Sequence, residues 1–166
     1  TWAEAAAAWG DRLIVRFAQE MNAPWFPWAV GGASGNTAAG FREAWRHIVE
    51  IIRPIAPEVR FLWSPHRPCG PTCVDLAELY PGDAWVDLAG FDAYDWSTEE
   101  RRPMADRYRK AMVALRALTD RPVIVAETGA AGPADGRGDW LAEGLDAVAT
   151  GFPRIEGVIW FDIDMR

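Results

Sequence analysis

Five short apolar runs, each without polar alternation, constrain the fold of this chain more than any other feature. They are rich in Val, Ile, Leu and Phe, which is typical of strands buried on both faces of a parallel sheet. The runs are Leu13–Phe17, Val59–Trp63, Val86–Phe91, Pro122–Ala126 and Gly157–Phe161. Each run has the length of a strand and is too short for a membrane-spanning helix.

Helical patterns lie between these runs. An alanine-rich segment, Ala3–Trp9, precedes the first run, and Thr37 is placed to cap a helix that ends at Pro54. Met104–Leu118 and Trp140–Val148 follow the third and fourth runs with apolar residues at helical spacing. This alternation predicts an α/β fold with a parallel sheet, either doubly wound or closed into a barrel.

A glycine-rich loop is the one candidate for a nucleotide-binding turn. It reads Gly31-Gly32-Ala33-Ser34-Gly35, which lacks both the G-x-G-x-x-G and the Walker spacing. We interpret it as a flexible loop, which favours a barrel over a doubly wound nucleotide-binding fold.

Charge and aromatic content narrow the class of partner. The 166 residues carry a net charge of −7, which argues against nucleic acid and anionic membranes as partners and leaves neutral polysaccharides open. There are ten tryptophans, and aromatic faces stack on sugar rings. Five of them lie at or just after predicted strands, where a barrel carries its binding loops: Trp25, Trp28, Trp63, Trp96 and Trp160.

The two cysteines, Cys69 and Cys73, lie in a turn-rich loop. Two thiols and the nearby His66 provide at most three ligands, so the sequence predicts no tetrahedral zinc site. Two interpretations remain open: a disulfide that closes this loop in an exported protein, or two free thiols in a cytosolic one.

Polar residues follow the predicted strands, and two glutamates stand out among them. Glu20 comes after the first strand and Glu127 directly after the fourth, at matching points of the barrel. An ionised carboxylate beside apolar neighbours is costly unless it is hydrogen-bonded or used in chemistry. Because side chains two apart share a strand face, Arg16 is predicted to face the interior with Glu20 and to pair with Asp92, or with Glu127.

Several motifs resemble glycoside hydrolase family 26, which contains β-mannanases and other retaining β-glycanases. They are Arg16-Phe17-Ala18-Gln19-Glu20-Met21-Asn22, Trp25-Phe26-Pro27-Trp28, Trp63-Ser64-Pro65, Tyr80-Pro81-Gly82-Asp83, Val86-Asp87, Gly90-Phe91-Asp92-Ala93-Tyr94, Val125-Ala126-Glu127-Thr128-Gly129 and Trp160-Phe161-Asp162. The resemblance implies Glu20 as acid/base, Glu127 as nucleophile, and Tyr94 hydrogen-bonded to the nucleophile. It also implies that Trp25 and Trp160 bind substrate in the cleft.

The same resemblance implies a secreted, monomeric, endo-type enzyme that needs no cofactor or metal and hydrolyses a β-linked polysaccharide. β-Mannan is the expected substrate, with mixed-linkage glucan and β-1,3-xylan as the alternatives. Glu20 is expected to be held protonated by an apolar barrel mouth that raises its pKa. A non-catalytic carbohydrate-binding barrel is the alternative. An aldolase that forms a Schiff base is disfavoured because Lys110, the one lysine, lies in a helical pattern.

Two positions depart from the family pattern. Gln19 stands where the family usually has histidine; its amide can bind a sugar hydroxyl but cannot titrate near neutral pH. His66 stands where the family often has asparagine, and we interpret it as an exposed loop histidine, with a polar residue at the cleft rim as the alternative.

The strand count predicts an incomplete barrel. A closed (β/α)8 domain has eight strands in about 250 residues, and this chain shows five strand signals. Placing Glu20 after the fourth strand makes residues 1–166 a single partial catalytic domain with strands four to eight, without strands one to three. Such a fragment is expected to aggregate and to be inactive by itself.

Overall fold

The computed structural model describes residues 1–31, 35–97, 100–131 and 135–161. Five strands form one sheet in sequence order, and every neighbouring pair is parallel. The strands are β1 (Ile14–Val15), β2 (Arg60–Trp63), β3 (Leu88–Asp95), β4 (Val123–Ala130) and β5 (Ile155–Trp160). The helices are α1 (Trp2–Trp9), α2 (Ala38–Ile52), α3 (Leu76–Leu79), α4 (Met104–Arg116) and α5 (Arg137–Gly151).

The predicted α/β architecture is confirmed: the sheet curls into half of a (β/α)8 barrel with helices between successive strands. The first strand is shorter than predicted because the chain leaves the extended conformation soon after Val15. Ala18 and Glu20 both have positive φ, at 46° and 53°, where a strand cannot continue. β3 and β4 run further than predicted, through the polar residues at their carboxyl ends.

The two faces of the sheet bury different side chains. The larger core lies between the sheet and the helices, and its fully buried members include Trp45, Phe61, Phe91, Tyr108 and Leu115. A smaller cluster of Leu62, Leu88, Ala126 and Ile124 fills the concave face, which is the barrel interior. Gly90 lies on that face, where a Cβ atom would stand 2.7 Å from the carbonyl oxygen of Ile124.

Local caps define the helix ends. The Thr37 side chain accepts a hydrogen bond of 3.1 Å from the Gly40 N–H, so the predicted cap of α2 is present. In α1 the N-terminal Thr1 and Glu4 form a capping box, and Gly10 ends the helix in the left-handed conformation.

Across the described ranges, no helix is long and apolar enough to cross a membrane.

Candidate active site

The carboxyl ends of the strands and the loops that follow them enclose a cleft of about 490 Å³. Carboxyl ends of parallel strands meet at one edge of a sheet, so residues distant in sequence come together there. Both glutamates singled out by the sequence line this cleft. Its lining residues are Glu20, Trp25, His66, Arg67, Cys69, Thr72, Tyr94, Trp96 and Glu127.

A β-bulge turns Glu127 into the cleft. Phe91 pairs with Val125 but Asp92 pairs with Glu127, so β4 has one residue more than β3 at this point. Ala126 belongs to the interior cluster, and strict alternation would therefore direct Glu127 toward the helices. The extra residue instead turns Glu127 to the interior, where it contacts Tyr94 of β3.

Glu127 is held by two donors on its two oxygens. The Tyr94 hydroxyl donates to Oε2 at 2.6 Å, which is the contact that the sequence predicted. The Arg16 guanidinium donates to Oε1 from Nη1. Burial raises the pKa of Tyr94, as does its hydrogen bond to Glu127, so this phenol keeps its proton and stays a donor.

Arg16 also binds Asp92, through Nη2. Its side chain is 21% exposed, so the predicted inward, paired arginine is confirmed, with both candidate carboxylates as partners. Burial raises the pKa of Asp92 to about 8; the Arg16 charge opposes this, and the charges of Glu127 and Glu20 add to it. Through its two terminal nitrogens, the Arg16 guanidinium thus links Glu127, which lines the cleft, to the buried Asp92.

Glu20 lies in the turn after β1 and is 8% exposed. Its backbone N–H donates to the Ser64 carbonyl at 2.9 Å, which ties this turn to the end of β2. The Trp25 indole N–H donates to Oε2 of Glu20. On the other oxygen, Oε1 lies 2.9 Å from Nδ1 of His66.

These contacts correct the expectation that the mouth raises the pKa of Glu20. Burial does raise it, but hydrogen bonds from His66 and Trp25, together with the nearby charges of His66 and Arg16, outweigh burial. The pKa of this carboxyl therefore lies below its ordinary value. Donors directed at a carboxylate favour its ionised form.

His66 lines the cleft, as the alternative interpretation of this residue had it, and is not the exposed loop histidine that was preferred. It was expected to be an exposed loop histidine, yet its side chain is only 11% exposed and contacts Glu20. Asn22 fixes its backbone, donating to the His66 carbonyl at 2.9 Å and accepting from its N–H at 2.8 Å. The one signal in the sequence was its position just beyond a predicted strand, in Trp63-Ser64-Pro65-His66.

The remaining predicted substrate-binding residues divide into two groups. Trp25 lines the cleft with about half of its surface exposed, and so does Trp96. Gln19 and Trp160 are not among the residues that line the cleft. The Trp160 ring packs against Trp140 of α5, with centroids 6.4 Å apart. The carbonyl of Gln19 accepts a hydrogen bond of 2.7 Å from the Trp28 indole.

Two of the predicted motifs, the Trp160-Phe161-Asp162 motif and the glycine-rich loop, lie only partly within the described residues. Phe161 contacts Tyr94 edge to face, with centroids 5.9 Å apart, while Asp162 of the Trp-Phe-Asp motif lies outside the described residues. Residues 32–34 of the glycine-rich loop lie outside them too.

A disulfide closes the loop that forms one wall of the cleft. Cys69 and Cys73 are bonded, with Cα atoms 5.4 Å apart, as one of the two sequence readings predicted. Cys69 and Thr72 of this loop line the cleft. Among the side chains that the structure places, no three His, Cys, Asp or Glu residues gather as a metal site.

Comparisons with known proteins agree on one family. Residues 10–138 match the sequence model of glycosyl hydrolase family 26. Endoglucanase H of Acetivibrio thermocellus is 28% identical in an alignment of 161 residues that covers 93% of this chain and 18% of that protein. A mannan endo-1,4-beta-mannosidase of Bifidobacterium adolescentis is 34% identical over 85 residues, 50% of this chain and 8% of that protein.

Solved structures show the same fold. The catalytic domain of the Bacillus sp. JAMB-750 GH26 endo-beta-1,4-mannanase superposes with a TM-score of 0.70 at 22% identity, over 93% of this chain and 42% of that one. A Cellulomonas fimi endo-beta-1,4-mannanase double mutant gives 0.65 at 25% identity, over 92% of this chain and 36% of that one. This sequence thus spans less than half of each of these relatives. With more than half of its length matched by the family model, the chain belongs to glycosyl hydrolase family 26.

Proposed function

We propose that the full-length protein carrying this chain is a retaining endo-hydrolase of a β-linked polysaccharide, with β-mannan as its substrate. The observation that carries the proposal is the presence of Glu20 and Glu127 in one cleft with different hydrogen-bonding partners. The printed names of the relatives, an endoglucanase and a mannan endo-1,4-beta-mannosidase, support a β-glycan. Exposed Trp25 and Trp96 offer flat faces for sugar rings.

In the first step Glu127 is the nucleophile. One of its oxygens forms a bond to the anomeric carbon as the glycosidic C–O bond breaks, and Glu20 gives its proton to the departing oxygen. Tyr94 and Arg16 hold the Glu127 carboxylate in place through their hydrogen bonds. The product of this step is a glycosyl ester on Glu127.

In the second step Glu20 acts as the base. Its carboxylate accepts a proton from water, the water oxygen bonds to the anomeric carbon, and the ester bond to Glu127 breaks. Two inversions leave the anomeric configuration unchanged. Glu20 therefore needs a proton in one step and must lose it before the other, which makes its lowered pKa a central feature of the site.

The test uses the full-length protein on a panel of β-mannan, mixed-linkage β-glucan and β-1,3-xylan. We expect Glu127→Ala to lower the rate by roughly a thousandfold or more, as loss of a covalent nucleophile does. Glu143→Ala, which removes an exposed carboxylate on α5, is the matched control. Proton NMR of the first products reports the anomeric configuration.

Product of inverted configuration would contradict the double displacement. Binding of a polysaccharide by the wild-type protein without any product would instead establish the non-catalytic alternative. Preference for glucan or xylan over mannan would correct the substrate alone.

We also propose that the protein is exported and acts as a monomer. The Cys69–Cys73 disulfide supports export, because such bonds persist in oxidising compartments and are reduced in most cytosols. Mass spectrometry of the secreted protein with and without reductant tests the bond, and light scattering of the full-length protein tests its monomeric state.

A further inference from the structure

We propose that Glu20 and His66 work as one pair that holds a single proton, in which His66 is a positioning residue that keeps the acid form available at higher pH than the carboxyl alone. This inference rests on the proposed function, because it concerns the residue that acts there as acid and base. It gives a role to a histidine at the position where the family pattern led us to expect asparagine.

The geometry that supports the pair is a short contact between two shielded groups. Nδ1 of His66 lies 2.9 Å from Oε1 of Glu20, and the two side chains are 11% and 10% exposed. The imidazole meets the Trp25 ring edge to face, with centroids 5.0 Å apart and planes at 85°. Since Asn22 holds the His66 backbone on both its N–H and its carbonyl, the ring has a fixed position beside Glu20.

One proton can occupy this pair in two ways. In the first, the Glu20 carboxyl donates to the bare Nδ1 of a neutral imidazole that carries its hydrogen on Nε2. In the second, Nδ1–H of an imidazolium donates to the Glu20 carboxylate. Both arrangements have the same total charge and differ only in the position of one hydrogen along a 2.9 Å contact, so the first is reached from the second without any proton from solvent.

During turnover the pair of Glu20 and His66 loses its shared proton and then regains it. When the glycosidic bond breaks, the Glu20 O–H bond breaks too and its proton goes to the leaving oxygen. The imidazole stays neutral with its hydrogen on Nε2, so its bare Nδ1 faces the Glu20 carboxylate until the second step. In the second step Glu20 accepts a proton from the attacking water, and the pair again holds one proton.

The pair accounts for how a carboxyl surrounded by donors can act as an acid. A lone glutamate has an ordinary pKa of about 4.3, whereas imidazole groups change charge between about pH 5 and 8. The last proton of a coupled pair leaves with a pKa that belongs to the pair and follows its more basic member. Gln19, which follows the turn residue Ala18, cannot supply this, because an amide does not titrate.

Other charged and titratable groups face the pair and act on it in every variant below. They come from the turn after β1, the loop after β2, and strands β3 and β4: Arg16, Arg67, Asp92, Tyr94 and Glu127. None of them is changed in the test, so a comparison of variants isolates His66.

The experiment measures kcat/KM against pH for the full-length protein on a polysaccharide or oligosaccharide substrate. We expect His66→Asn and His66→Gln to move the basic limb of the profile to lower pH by about one to two units. Both replacements can hydrogen-bond to Glu20 but cannot titrate. His47→Asn is the matched control, since His47 is the chain's other histidine and is exposed on α2.

A second substrate separates proton supply from structural damage. A dinitrophenyl glycoside of the same sugar has a leaving group that needs no proton, so kcat/KM for it should show the same basic limb in the wild type and in His66→Asn. A basic limb that stays in place or moves to higher pH on the polysaccharide would overturn the pair. An equal shift on both substrates would overturn it as well. No turnover of either substrate by the wild-type protein would overturn the proposed function and the pair with it.

Discussion

Arg16 shows how a single side chain organises the candidate site. Its two terminal nitrogens bind Glu127 of β4 and Asp92 of β3, so one cation holds two neighbouring strands at their carboxyl ends. A buried charge is tolerated where it is paired, and the planar guanidinium can bind two carboxyl groups at once. The sequence predicted each of these carboxylates as a possible partner, Asp92 first and Glu127 as the alternative, but not that Arg16 binds both.

His66 could not be predicted in the same way. Nothing local in Pro65-His66-Arg67 indicates a partner, because Glu20 is 46 residues away and reaches it across two loops. The lowered pKa of Glu20 was missed for the same reason: the expectation counted burial alone, and the opposing donors come from elsewhere in the fold.

A first prediction concerns Tyr94. Tyr94→Phe removes the 2.6 Å hydrogen bond to Glu127, and hydrogen bonds to charged groups contribute about 1.5–3 kcal/mol. We expect kcat/KM of the full-length protein to fall by about 10- to 100-fold. Tyr108→Phe is the control, since it also removes a buried hydroxyl, bonded to Thr128 at 2.9 Å, but away from the cleft. Equal losses of activity in the two variants would contradict a specific role for Tyr94.

A second prediction concerns the pH dependence of stability through Asp92. Its pKa of about 8 in the folded protein lies above the ordinary aspartate value near 3.9. The folded state therefore holds this proton more tightly, and the stabilisation is complete at low pH and lost as pH rises through about 8. Asparagine at this position has no proton to lose.

Denaturant unfolding at several pH values tests this. Between about pH 5 and about pH 8.5 the wild-type protein should lose unfolding free energy relative to Asp92→Asn, with a slope of at most about 1.4 kcal/mol per pH unit for one proton. Parallel curves for the two proteins would show that Asp92 is ionised throughout this range.

At the scale of elements, the order and type of the main strands and helices followed from periodicity, but their ends did not. β1 ends at Val15, and the turn that follows has positive φ at Ala18 and Glu20, neither of which is glycine. Likewise, nothing in the sequence Val123-Ile124-Val125-Ala126-Glu127 indicates that β4 has an extra residue at Ala126. Alternation alone would have turned Glu127 away from the cleft, so the position after the strand, and not its parity, was the useful signal.

A third prediction concerns the contact between α4 and α5. Gly144 lies in the middle of α5, and a Cβ atom there would stand 2.6 Å from Sδ and 2.7 Å from Cβ of Met104. Gly144→Ala should therefore destabilise the protein by about 1–2 kcal/mol, because overpacking costs more than the gain in helix propensity. Gly138→Ala in the same helix meets nothing within 4 Å and should leave stability equal or slightly higher. Thermal or denaturant unfolding of both variants decides, and a stabilised Gly144→Ala would refute the close contact.

At the scale of the whole molecule, the described sheet has five strands where a closed (β/α)8 barrel has eight. β1 and β5 are its edges, with one described neighbour each. Apolar side chains are exposed on both edge strands and where they end: Ile14 on β1, Ile159 on β5 and Phe161 directly after it. Unpaired backbone groups with apolar side chains beside them favour association.

The last prediction follows for the 166-residue polypeptide expressed by itself. It should self-associate through these edges and hydrolyse none of the three polysaccharides, because half a barrel leaves the cleft open on the sides that other strands would close. Multi-angle light scattering after size exclusion measures the association. Replacing Ile14 and Ile159, each about half exposed, by lysine should reduce it, since charges on an edge strand oppose pairing. Glutamine at Glu143 and Glu43, exposed positions on α5 and α2, raises the net charge by the same two units, is therefore the control for a general change in net charge, and should leave association unaltered. A monomeric 166-residue polypeptide with glycanase activity would show that five strands are enough to build the working cleft.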